Sequence, residues 1–486
     1  MYMSKATNRS MVTIGLLAAL FIGALDSTVV STASPRIISS LGGLNLISWI
    51  FSIYTLTTCI ATPIFGKLGD LFGRKSIFAI GLGVFVLGSI MCGFANSMTE
   101  LIWYRAIQGI GAGALTPVTF TIVGDLYPGK ERAKVQGLFS SVWSVAGLFG
   151  PLVGGYFVDY ISWRWIFFIN LPVGIIAILF IFIYFHESFE KKQKSIDYAG
   201  AITFTIGMTA LLLALLTGGE EYAWSSPMII GLFAVTVIFM ALFLRIEQRA
   251  TEPMLPLSLF HSRILSIPYV LGFSTRWMVM GVTVYCALWI QDVFGYSATS
   301  AGLALMPMSI AWPVASTLAG RWMYKVGAKL LIVLGSALVV GGSLWLAVMH
   351  AQSSYGVIVG SLILIGLGMG FIVTPSLVII QGAVGFQMRS VATSTNTLMN
   401  SLGQTISVAV FGMVFNAIVT TGTTSQLASG IHYVFLLMFA VSILNLIVAL
   451  FLPSSKQLFQ AIREHEAPTV HPTPNQSNAK PALERS

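Results

Sequence analysis

Three ionisable side chains sit deep inside apolar runs of this chain: Asp26, Arg105 and Arg276. A charge in such surroundings costs several kcal/mol unless it is paired or hydrated, so these positions mark candidate paths for protons, ions or charged ligands. Asp26 lies in the segment LDSTVV (residues 25–30). A carboxyl group desolvated at that depth can bind and release a proton, or hold a cation; the plainer reading is an acid permanently paired with another helix. Arg105 lies in YRAIQG (residues 104–109), too far from either end of its run for its guanidinium to reach water easily. Arg276 is near the middle of residues 264–290. It invites three readings: an ion pair with Asp26 that keeps the carboxylate charged, a contact to an anionic group of a substrate, or simply an Arg that faces the cytoplasmic mouth. Asp292, in the outward segment QDVFG (residues 291–295) just past that run, is a weaker acid candidate.

Other chemistries are excluded. GDLYPGKE (residues 124–131) comes close to a phosphate-binding loop, but Glu131 stands where Ser or Thr is required and no strand precedes it, so no ATP site is expected. No His or Cys pair has metal-ligand spacing, and Cys59, Cys92 and Cys286 all fall in apolar runs, so neither a metal nor a disulfide framework is indicated. Nothing implies a cofactor or an enzyme. The net charge of +9 is not that of a nucleic-acid binder, because no soluble face exists to carry a basic patch.

The elements that must position these residues are membrane helices. The 486 residues are 56% hydrophobic and 9% charged, where a soluble domain carries about 25% charged residues. Lipid is therefore the solvent. Fourteen spans of about 20 residues are predicted: 11–33, 46–65, 76–95, 100–124, 135–158, 163–185, 198–217, 227–245, 264–290, 299–319, 328–350, 355–378, 395–419 and 431–452. Nearly all of the 26 Lys and Arg residues then fall in loops on one side, while Arg36 and Arg164 face the other. Basic loops stay inside, which places both termini in the cytoplasm. The first run carries Asp26 and no small-residue cleavage site, so it reads as an uncleaved span. The polar, Pro-containing stretch 453–486 reads as a disordered cytoplasmic tail.

The chain repeats itself. GKLGDLFGRK (66–75) aligns with GRWMYKVGAK (320–329), GIGAGALTP (109–117) with GLGMGFIVTP (366–375), and Arg132 with Arg389. Residues 11–185 and 264–452 are thus expected to form equivalent six-helix halves, with 198–245 as a two-helix insert and the substrate path between the halves. Tyr324 replaces Asp70 in the second copy, so the two loops should work differently.

These motifs resemble the major facilitator superfamily, and within it the fourteen-spanner drug:proton antiporters, over about residues 11–452. The loop with Gly66, Gly69, Asp70, Gly73 and Arg74, together with Arg132, is similar to that family's cytoplasmic gating loop. Asp70 can pair with an Arg or stabilise a neighbouring helix N-terminus. Arg105 resembles the family's span-4 Arg, which is linked to proton transfer. Gly147, Gly150, Pro151, Gly154 and Gly155 resemble the antiporter motif, whose small residues let helices approach closely. The segment around Asp26, followed by Pro35, also fits. WRWIFFINLP (163–172), Asp197 to Gly200, the Trp224 loop and the Glu252 to Phe260 segment favour the fourteen-span branch. The resemblance implies an all-α plasma-membrane antiporter that exports drugs or other amphipathic, lipophilic small molecules against protons, with lipid as its surroundings and antibiotic resistance as a consequence. The alternatives are a dedicated exporter of one metabolite, lipid or peptide, and a non-transporting sensor or scaffold.

Overall fold

The computed structural model describes residues 7–42, 46–127, 129–187, 197–219, 221–250, 253–296, 298–350, 352–419 and 423–466. Lys5, Lys191, Lys192, Lys194, Glu252 and everything beyond residue 466 lie outside them.

The chain is helical almost throughout. The first half comprises α1 (Arg9–Leu41), α2 (Ile47–Phe72), α3 (Arg74–Phe94), α4 (Met98–Leu126), α5 (Gly129–Tyr160) and α6 (Asn170–Tyr184), with a short turn of helix at Trp165–Phe168 before the last. Two further helices follow, α7 (Tyr198–Thr217) and α8 (Pro227–Glu247). The second half comprises α9 (Arg263–Gly281), α10 (Ala298–Val326), α11 (Ala328–Ala347), α12 (Tyr355–Gly382), α13 (Arg389–Ile418) and α14 (Thr424–Leu450). Thirteen of the described helices are long and apolar enough to cross a membrane. α5, with 32 residues, completes the fourteen long helices.

Several boundaries differ from the sequence expectation for physical reasons. Span six is broken between Phe168 and Asn170, where the Asn side chain turns inward to hydrogen-bond its neighbours. Span nine continues past α9 through two π-helical turns, Val282–Cys286 and Trp289–Val293. The segment after α14 does not begin as a disordered tail: α15 (Ser455–Glu466) is an amphipathic helix whose Leu458 and Ile462 are buried. It packs on α11 and α12, Ile462 lying over Gly382.

The internal repeat is visible in the backbone. Gly73, between α2 and α3, and Gly327, between α10 and α11, both have positive φ (90° and 98°), which L side chains rarely adopt. The glycines of α4 and α12 also do the same work. At Gly109 and Gly366 a Cβ would overlap α2 and α10, and at Gly111 and Gly368 it would overlap α3 and α11. The two preceding helices therefore pack backbone-close on each of these central helices. α7 and α8 pair with each other, and α7 packs on α2 and α13.

Candidate functional site

Asp26 and Arg105 meet in the middle of the first half. Arg105 Nη1 donates to Asp26 Oδ2 at 2.6 Å, and both side chains are fully buried. Gln108, one turn after Arg105 on the same face of α4, donates to Asp26 Oδ1 at 2.8 Å and accepts from Arg105 Nη1 at 2.7 Å. Asn170 of α6 reaches the same Oδ1 at 3.5 Å and bonds Ser89 of α3 at 2.9 Å. Tyr54 of α2 lies under the guanidinium, 4.1 Å from ring centroid to Cζ. Five helices thus converge on one ion pair. A pair removed from water is tolerable only when its remaining donors and acceptors are satisfied, which is what the amides accomplish.

The expected pairing of Asp26 with Arg276 is not found. Both Asp26 oxygens are occupied by Arg105, Gln108 and Asn170, and no ion pair joins Asp26 to Arg276. Arg276 is half-buried on α9 and makes no hydrogen bond or ion pair with the described residues. One turn earlier on its face, Gly272 lies against the amide oxygens of Asn396 and Asn400 of α13. Asp292 is exposed in the second π-helical turn.

A second polar cluster joins the two halves at the end of the spans that carries α15. Asp70 contacts Arg74 at 3.0 Å, and its two oxygens accept from the backbone N–H groups of Ser390 and Val391 at 3.4 and 3.0 Å. The carboxylate therefore caps the N-terminus of α13, so both roles expected of Asp70 are realised at once. Arg74 also approaches Asp125 (2.9 Å, ion-paired without hydrogen-bond alignment), donates to the Phe386 carbonyl, and stacks on the Phe386 ring at 3.9 Å. Asp125 is shared with Arg389 at 2.7 Å. Glu187 accepts from the backbone N–H groups of Arg74 and Lys75 at the start of α3. Gln136 and Gln381 bond across the same seam. Gly66 and Gly69 make this approach possible: a Cβ at Gly66 would overlap the Ser394 side chain, and one at Gly69 would press only on the rotatable Ser390 hydroxyl. Arg132 is buried and donates to the Tyr127 carbonyl. In the second copy of the loop, Tyr324 stacks on Phe459 of α15, centroids 5.0 Å apart, in place of an ionic network.

In the third motif, Gly150 faces Thr28 of α1 so closely that a Cβ would overlap its side chain. Gly154 is buried, whereas Gly147 and Gly155 face open space. The side chain of Pro151 is not among those described.

Gln108, Asn170, Tyr54, Asp125 and Glu187 do not stand out in the sequence alone. Gln108 carried a readable signal, its three-residue spacing from Arg105. Asp125 lies within the segment that resembled a phosphate loop.

Two repeated six-helix halves with two further helices between them, a buried ion pair in the first half and an ionic seam between the halves form the architecture of a membrane transporter. The Major Facilitator Superfamily model matches residues 16–408, and the chain belongs to that superfamily. It is 38% identical to the multidrug transporter protein MdtP of Bacillus subtilis (strain 168) over 413 residues, covering 85% of this chain and 76% of the relative. It is 36% identical to multidrug resistance protein 3 of the same organism over 411 residues, covering 85% and 80%. The structure of the human organic anion transporter MFSD10 shares the fold at TM-score 0.67 and 14% identity, covering 90% of this chain and 99% of that one.

Proposed function

We propose that this protein is a proton-coupled antiporter that exports amphipathic small molecules across the plasma membrane, with both termini cytoplasmic and Asp26 as the proton-binding group. The observation that carries the reading is the buried Asp26–Arg105 pair with its Gln108 and Asn170 partners. A proton arriving on Asp26 cancels its charge and frees the Arg105 guanidinium, which must then find another partner or move. That couples protonation to the packing of α1 against α4. The likeness to multidrug transporters supports export of drug-like substrates. The seam through Asp70, Arg74, Asp125 and Arg389 acts as the cytoplasmic gate, and its closed state here corresponds to access from the outside.

The test is efflux of a fluorescent lipophilic cation from energised cells, for wild type and Asp26→Asn, with and without a protonophore. Efflux that the protonophore abolishes and the variant lacks is expected. Wild-type efflux that ignores the protonophore would exclude proton coupling. Full activity in a well-expressed Asp26→Asn protein would remove Asp26 from the mechanism.

A further inference from the structure

We propose that the cavity between α5 and α10 binds the phosphate headgroup of an anionic membrane lipid, and that the bound lipid bridges the two halves. The cavity has a volume of about 610 Å³. Lys134 enters it from α5, and Arg321 and Lys325 enter it from α10, at i and i+4 on one face. No carboxylate lines it. All three cations are exposed, and none makes an ion pair or hydrogen bond with the described residues. Three like charges around one hollow repel each other, and an anion among them offsets that repulsion.

The position selects a lipid over a soluble anion. Lys134 is in the second turn of α5 and Lys325 is the penultimate residue of α10, so the cations ring the end of the spans, at headgroup depth. That end also carries the Arg9–Glu131 pair and α15, and hence both described chain ends. Deeper along the spans the lining carries no further charge: Leu138, half-exposed, is flanked by Ser141 and Thr317. Trp322, next to Arg321 in sequence and 42% exposed, is the residue type that marks the membrane interface. A phosphate at the cations with acyl chains along Leu138 satisfies both parts of the lining.

The cavity exists because the two halves touch here. Gly137 of α5 lies against the backbone at Thr317, and Gly320 of α10 against the carbonyl of Ala133. Separating α5 from α10 takes Lys134 away from Arg321 and Lys325. A lipid bound to all three therefore favours the conformer closed at this end.

The experiment uses the purified full-length protein in a zwitterionic detergent, titrated with phosphatidylglycerol, phosphatidylcholine or inorganic phosphate and read by native mass spectrometry and thermal unfolding. Each cation near an anionic surface is worth about a fivefold preference, so Lys134→Gln/Arg321→Gln/Lys325→Gln should weaken phosphatidylglycerol binding on the order of a hundredfold. Arg263→Gln/Lys456→Gln, two exposed basic residues outside the cavity, should retain wild-type selectivity. Equal stabilisation by phosphatidylcholine, or undiminished phosphatidylglycerol binding by the triple variant, overturns the proposal. Saturation by inorganic phosphate at the concentration effective for the lipid overturns the lipid assignment. A triple variant that does not fold moves the comparison to Arg321→Gln alone, where loss of about fivefold in affinity is expected and no loss refutes the site.

Discussion

At the scale of residues, the Asp26–Arg105 pair is a unit, and removing either member should cost more than removing both. Asp26→Asn leaves the buried Arg105 guanidinium without its anion, and breaking a buried pair this way costs about 3–5 kcal/mol. Arg105→Gln has the mirror effect on Asp26. The double variant removes both charges while keeping amide hydrogen bonds possible among Gln108, Asn170 and Ser89. Thermal unfolding in detergent should therefore rank the double variant above both single ones, while protonophore-sensitive efflux should be absent in all three. A double variant that is the least stable of the set would show that the two residues act separately. Arg276 makes a contrasting case. With no partner among the described residues and amide oxygens one turn away, it is suited to a substrate group that accepts hydrogen bonds or carries negative charge. Arg276→Gln should then lower efflux of anionic or zwitterionic substrates several-fold more than efflux of lipophilic cations, with little change in unfolding temperature. An equal loss for both substrate classes would sink that role. The depth of all three charges was legible in sequence, because an ionisable residue stands out in an apolar run. Their pairing was not, since it depends on how helices rotate about their axes, and uncharged partners such as Gln108 and Asn170 give no contrast.

At the scale of elements, the proposed gate is an arrangement of helix ends. α13 begins at Arg389, and its first free N–H groups point at Asp70. α3 begins at Arg74, and its first N–H groups point at Glu187. Asp125, at the end of α4, stands between two arginines from different halves. These placements predict an order of importance. Asp125→Asn leaves Arg74 and Arg389 facing each other with one anion fewer and should lower the unfolding temperature and the transport rate markedly. Glu187→Gln removes a charge 3.9 Å from the Arg74 guanidinium but keeps an acceptor for the α3 N-terminus, so its effect should be well under half as large. Measured side by side, the reverse order would mean that the α3 cap, and not the bridge between halves, holds the gate. The loop glycines and Asp70 were readable because a tight turn and a helix cap demand those residue types at fixed spacing. α15 is hidden from a reading by composition, because its polar residues outweigh its pattern: Leu458, Phe459 and Ile462 recur at helical spacing, and the helix is stable through the surface it covers on α11 and α12.

At the scale of the whole molecule, two-fold repetition was legible from glycines at matching offsets, since close helix packing admits little else. The contacts between the halves were not, because repeated sequence predicts each half's own packing and says nothing about which faces the halves turn to each other. Those contacts are asymmetric: an ionic seam on one side, and Tyr324 on Phe459 in the corresponding loop. The proposed exchange of access requires the seam to open, so locking it should stop transport without disturbing either half. Gly69 of α2 and Ser390 of α13 supply the lock. A Cβ built at Gly69 lies 3.7 Å from the Ser390 Cβ, close to the mean separation of about 3.8 Å in disulfides. Gly69→Cys/Ser390→Cys should therefore cross-link on mild oxidation. Efflux should fall to background in the oxidised protein and return on reduction, while the single-cysteine variants respond to neither treatment. The native thiols at Cys59, Cys92 and Cys286 are buried and should not interfere. Ready cross-linking with efflux unchanged would mean that α2 and α13 stay together throughout the cycle. The seam would then be structural scaffolding, and the opening would have to be sought elsewhere, first along α5 and α10, where the halves also meet backbone to backbone.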